Sequence, residues 1–197
     1  GLFGERFSEI AKTFGGEVTE LEFPWGQPVD IDAVKKAICQ MEKVDAVLLT
    51  HNETSTGILN PLPEIMEVIR SQSEALVLVD GMSSVAAVPI EMDKYGIDVV
   101  ITASQKALMA PPGLAILAVS SRALKAASKL SVMRYYFDFI KMREEVLKGS
   151  TTYTPAVSTV YGLDAALFMI ENEGLKNVYQ RHQQLGRLLR ERMVAMG

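Results

Sequence analysis

Short apolar runs separated by helical patterns leave this chain few architectures. Residues 46–49, 76–79, 98–103 and 114–119 are too short for helices and rich in Val, Ile, Leu and Ala, as strands buried on both faces are. Between them, apolar residues recur three and four apart. Val34, Ala37, Ile38 and Met41 follow a cap at Asp30 or Asp32, and a second helix starts at Pro61 and runs to about Arg70. Strands alternating with helices predict an α/β fold, a mostly parallel sheet with helices on both faces.

The remaining segments extend this pattern. Phe3, Phe7, Ile10, Ala11 and Phe14 predict an opening helix stopped by Gly15 and Gly16, followed by a strand over 18–23 and a loop over 24–28. Residues 89–95 form a short helix or turn ended by Gly96, 104–113 a loop, and 122–130 a helix. Residues 133–147, 156–171 and 175–196 also read as helical. Both ends carry helical patterns, as expected of a piece of a longer protein.

Composition narrows the function classes. A net charge of -4 with no basic block gives no electrostatic reason to expect nucleic acid or an anionic membrane as partner. No apolar stretch has membrane-spanning length, and no signal peptide opens the sequence. The single cysteine, Cys39, cannot form an internal disulfide and fits a reducing compartment, so a cytoplasmic location is expected. Cys39 lies on the apolar side of its helix and is expected in the core, whereas His182, among Arg181, Gln183 and Gln184, is expected at the surface. Two distant histidines and one cysteine offer no metal-ligand cluster, and no metal is expected.

Three polar loops each follow a strand: 51–57, 80–84 and 104–113. Parallel connection brings such loops to one sheet edge, where ligands of α/β folds collect. One loop starts with Asp80 and another carries Lys106. An amine and a carboxylate at two strand ends suit pyridoxal phosphate, whose aldehyde takes a lysine and whose ring nitrogen takes an acid. Each residue also has a plainer reading, Asp80 as a turn or helix cap and Lys106 as a solvated charge. The small and apolar residues after Lys106, from Ala107 through Pro111, Pro112 and Gly113, favour the functional reading for the lysine. The stretch HNETSTG over 51–57 can supply hydroxyls to a ring oxygen or serve as a capping loop.

Taken in order, these motifs resemble a known family. HNETSTG at 51–57 with Asn60, Pro61 and Leu62, then VDGMSS at 79–84, GID at 96–98, SQKAL at 104–108 and PPG at 111–113 are similar to class V aminotransferases. Within that family the likeness is to the alanine–glyoxylate and serine–pyruvate group, enzymes of fold type I. The resemblance implies that Lys106 joins pyridoxal 5'-phosphate covalently and shifts the proton, while Asp80 pairs with the ring nitrogen. It further implies Thr54 near the ring, with Ser55 or Thr56 as substitutes, and Gln105 on the phosphate. Thr154, with Thr151 or Tyr153 nearby, would reach the phosphate of the other subunit of a homodimer. Small amino acids and 2-oxo acids are the implied substrates. Residues 1–150 are then the cofactor-binding core of the large domain, and 151–197 lead toward a C-terminal small domain. The family's upstream phosphate loop and its carboxylate-binding arginine are expected outside Gly1–Gly197. Two other readings stand beside this one: a cysteine desulfurase, for which Cys39 is badly placed, and a non-catalytic folding or dimerisation module.

Overall fold

The computed structural model describes residues 1–197. The first helix, α1 (Leu2–Thr13), is followed by α2 (Ile31–Gln40), which starts where the Asp30 carboxylate accepts hydrogen bonds from the N–H groups of Asp32 and Ala33, at 2.9 and 3.3 Å. Such a cap stabilises a helix by about 1 kcal/mol. Val34 and Ile38, one turn apart, are the buried residues of α2. Strand β1 (Ala46–Thr50) leads into a small antiparallel hairpin of β2 (Asn52–Glu53) and β3 (Ile58–Leu59). Helix α3 (Leu62–Gln72) then buries Leu62, Ile65, Met66 and Ile69, spaced as one face of a helix requires. It packs on α2.

Strand β4 (Leu76–Asp80) comes next, then the single-turn helix α4 (Met92–Tyr95). Gly96 closes α4 at φ 68°, a left-handed conformation that favours glycine. Strands β5 (Val99–Ala103) and β6 (Ala115–Val119) complete a sheet of order β1-β4-β5-β6. Both β1–β4 and β4–β5 are parallel, with Thr50 opposite Asp80 and Asp80 opposite Ile101. The edge strand β6 runs antiparallel to β5: the Ser120 N–H donates to the Asp98 carbonyl and the Ser104 N–H to the Leu114 carbonyl, at 2.8 and 3.1 Å. Four helices follow: α5 (Ser121–Ser128), α6 (Phe139–Leu147), α7 (Val157–Glu173) and α8 (Leu175–Ala195). The α/β class with a mostly parallel sheet is the one expected. No helix is long and apolar enough to cross a membrane.

The chain folds as two compact units, each built from three stretches. The first comprises Gly1–Gly81, Glu91–Ile101 and Leu117–Pro155. Its core holds the α3 stripe with Val77 and Val79, and the alternation of β4 leaves Leu76, Leu78 and Asp80 half-buried. Beside this core, Asp98 is 2% exposed and collects hydrogen bonds from Arg70, Arg122, Ser120 and the Val77 N–H. Burial pushes its carboxyl upward, but the bonds from Arg122, Val77 and Ser120 outweigh this and hold it below its ordinary range. The second unit comprises Met82–Ile90, Thr102–Ile116 and Ala156–Gly197, with a core of Ala86, Leu108, Ile170 and Val178.

Four local expectations are corrected. Residues 18–23 are extended but join no ladder, because Glu20 turns to Ser8 and Lys12 of α1 and no strand lies alongside to pair with them. Only 139–147 of the expected helix 133–147 forms: Asp138 caps α6, while Tyr136 stacks on Tyr153 with ring centroids 4.7 Å apart. Cys39 is exposed, its thiol directed to the Gln72 amide oxygen at 3.3 Å. Val34 and Ile38 define the buried side of α2, and Cys39 falls off it. His182 is half-buried, and its Nε2 is shielded from solvent without a hydrogen-bond partner.

Candidate cofactor site

In the first unit, Asp80 ends β4, the central strand between β1 and β5. Its carbonyl accepts the His51 N–H at 2.9 Å, and the Gly81 N–H donates to the Ile101 carbonyl at 2.9 Å, so the chain leaves the strand in a fixed direction. The loop expected over 51–57 is a stapled hairpin. The Asn60 N–H donates to the His51 carbonyl, and the Asn60 amide donates to the Thr50 carbonyl at 2.7 Å and accepts from the Val29 N–H. Asp80, His51 and the hairpin are thus brought together. His51 is 4% exposed, and burial pushes its imidazole down to about 4, so it is neutral at physiological pH.

Glu53 organises the hairpin tip. One carboxylate oxygen accepts the N–H groups of Phe3 and Gly4, at 3.1 and 3.2 Å, where the positive end of the α1 dipole lies. The other accepts the N–H and hydroxyl of Ser55, and the Ser55 hydroxyl in turn accepts the Leu2 N–H. The Thr56 hydroxyl donates to the Glu53 carbonyl at 3.4 Å. The Ser55 hydroxyl is therefore tied to Glu53 and to the start of α1, and the Thr56 hydroxyl to the Glu53 carbonyl; Thr54, next to Glu53 in the chain, is exposed. Burial raises the Glu53 carboxyl, and its bonds from Ser55, Gly4 and Phe3 bring the net shift below the ordinary value.

In the second unit, the loop after β5 is closed at its neck. Ser104 is 0% exposed; its hydroxyl donates to the Pro111 carbonyl at 2.6 Å and accepts the Leu114 N–H at 3.3 Å. Its carbonyl accepts the Ala110 N–H at 3.0 Å. Within this ring the half-buried Lys106 accepts the Met109 N–H on its own carbonyl at 2.9 Å, and Met109 takes φ 61°, unusual for a residue with a side chain. Leu108 is a member of the unit's core, and Ala107 packs against that core. Pro111 lies so near α7 that a Cβ on Gly162 would sit 2.8 Å from the proline Cδ. Gln105 is exposed.

Thr151 and Thr154 are exposed at the end of the first unit. The Thr151 hydroxyl donates to the Tyr153 carbonyl, and the Tyr153 hydroxyl to the Tyr135 carbonyl, so this segment's bonds stay local. The Lys141 ammonium covers the rings of Tyr135 and Tyr153, at 5.1 and 5.4 Å from their centroids. Sequence reasoning missed the parts played by Ser104, Glu53 and Asn60. The partners of Glu53 and Asn60 lie far away in the chain, and only the S-Q-K sequence hinted at Ser104.

The chain belongs to the class V aminotransferases: the model of that family matches residues 6–197. It is 37% identical over 198 residues to a protein named soluble hydrogenase, small subunit, of Synechococcus, covering 100% of this chain and 52% of the relative. It is 35% identical over 205 residues to the serine–glyoxylate aminotransferase of Methylorubrum extorquens, covering 100% of this chain and 51% of the relative. The crystal structure of an alanine–glyoxylate aminotransferase from Nostoc superposes with a TM-score of 0.90 at 30% identity, covering 99% of this chain and 52% of that one. The chain spans about half the length of the curated relatives it matches. Membership implies pyridoxal phosphate, and each unit carries a group of suitable chemistry: the first a carboxylate, Asp80, at a strand end, and the second an amine, Lys106, on a loop pinned by Ser104.

Proposed function

We propose that the whole protein transfers amino groups from a small amino acid of the alanine or serine type to a small 2-oxo acid, glyoxylate or pyruvate. Bound pyridoxal phosphate supplies the electron sink for charge that develops at the substrate α-carbon. Lys106 would hold the cofactor through its amine, and that amine would take the proton from the substrate α-carbon as base and return it as acid. Asp80 would supply the carboxylate that keeps the ring nitrogen protonated. Thr54 bonds near the ring and Gln105 contacts the phosphate. Thr154, with Thr151, reaches the phosphate held by the second subunit of a homodimer, and the protein works in the cytoplasm.

The match to the family over residues 6–197 carries this reading, because it takes in the motif containing Lys106. Glyoxylate appears in the names of both aminotransferases compared above. The test mixes the purified full-length protein with serine and glyoxylate, serine and pyruvate, or alanine and glyoxylate, following the new amino acid by chromatography. Turnover that disappears in Lys106→Ala supports the proposal. No turnover with any of the three pairs would refute the substrate class.

A further inference from the structure

The lysine proposed above sits on a loop whose ends are joined by one fully buried side chain. Ser104 makes bonds to three loop residues: its hydroxyl donates to Pro111 and accepts from Leu114, and its carbonyl accepts from Ala110. Its own N–H donates to the Leu114 carbonyl. Lys106 is two positions along the chain, so its backbone has little freedom that Ser104 does not govern. The far side is held as firmly, by Leu108 in the core and by the close approach of Pro111 to Gly162.

A buried hydroxyl that donates and accepts at once is costly to replace, because its removal leaves the Pro111 carbonyl and the Leu114 N–H each short of a partner. Those two groups would have to reach water, and the loop would have to open for them to do so. An opened loop moves the Lys106 amine, and small displacements of a reacting group carry large losses in rate.

We infer that Ser104 is a positioning residue: its hydroxyl closes the Lys106 loop and so sets where the lysine amine stands. The inference rests on the reading of Lys106 as the cofactor-linking residue. It does not make Ser104 a catalytic residue, since the side chain faces the loop's own backbone.

The experiment uses the full-length protein and its Ser104→Ala, Ser104→Cys and Lys106→Ala variants. In cofactor-free protein, hydrogen exchange is measured at the Ala110 and Leu114 amides; on adding pyridoxal phosphate, the rate of the borohydride-trapped adduct and its peptide are recorded. Ser104→Ala is expected to speed exchange at Leu114 by about tenfold or more, slow trapping at Lys106 by about tenfold, and lower kcat to a similar degree with KM little changed. Ser104→Cys, close in size but a weaker donor, should fall between; it carries the test if the alanine variant does not fold. Trapping and kcat per folded molecule equal to the parent's, in whichever variant folds, would overturn the inference while leaving Lys106 in place. An adduct mapped in the parent to another lysine would overturn the Lys106 reading and this inference with it.

Discussion

Replacing Asp98 by Ala removes the acceptor shared by Arg70, Arg122, Ser120 and the Val77 N–H. The carboxylate is 2% exposed, whereas the side chains of Arg70 and Arg122 are 23% and 39% exposed. Breaking a buried ion pair by deleting one partner costs about 3–5 kcal/mol, but here the bereaved guanidinium groups can rehydrate, which favours the lower end. They also keep other acceptors, Arg70 at the Gly96 and Ala75 carbonyls and Arg122 at those of Glu74 and Ala75. The Val77 N–H has no such recourse inside the sheet, and an orphaned buried donor costs about 1–3 kcal/mol. A loss of roughly 4 kcal/mol is expected, about 8–16 °C in Tm for a domain of this size. Urea or thermal unfolding of the full-length variant, followed by circular dichroism, measures it. Asp45→Ala serves as the control: Asp45 pairs with Lys43 at the surface, both side chains more than three-quarters exposed. It should change stability by less than about 1 kcal/mol. An Asp98→Ala variant as stable as the control would refute the argument that this carboxylate ties β4 and β5 to α3 and α5.

Further outcomes follow from the hairpin beside Asp80. The His51 imidazole sits at about 4 in the folded protein and near 6.5 when unfolded, so between these values the unfolded chain binds the extra proton and stability falls as pH drops. The limiting difference between pH 7 and pH 4 is about 3 kcal/mol, and His51→Gln should flatten that part of the unfolding profile; an unchanged slope would contradict it. The Glu53 carboxyl is held below its ordinary value, so its contribution is present above about pH 4.5 and lost as pH falls through the folded value. Glu53→Gln at neutral pH is expected to weaken the α1 start by about 1 kcal/mol and to speed hydrogen exchange at Phe3 and Gly4. Unaltered exchange there would show that the carboxylate does not cap the helix.

Much of the fold was legible because buried parallel strands leave continuous aliphatic runs. The four strands of the sheet begin and end within one residue of the expected positions. The 18–23 segment has equal β character, but a strand needs a neighbour, and none could be read from the residues themselves. The aromatic residues Tyr135, Tyr136 and Phe137 suit a helix as well as a ring cluster, and Tyr153, stacking from outside that stretch, decided the outcome. Cys39 was misplaced because it directly follows Ile38, about 100° around α2 from the side that Val34 and Ile38 bury. Around the candidate site, the position of Lys106 after β5 and of Asp80 at the end of β4 was visible in the sequence. What ties down the neighbouring loops was not: Glu53 meets Phe3 and Gly4 from about fifty positions away, and the Ser104 hydroxyl meets Pro111 and Leu114 across the loop that carries Lys106.

The central claim, that the Lys106 amine links pyridoxal phosphate, is tested most directly by reducing the full-length protein with borohydride in the presence of the cofactor and mapping the modified peptide. The account predicts a single pyridoxyl group on Lys106, with the visible absorbance lost in Lys106→Ala. Modification at a different lysine, or absorbance that survives Lys106→Ala, would contradict it.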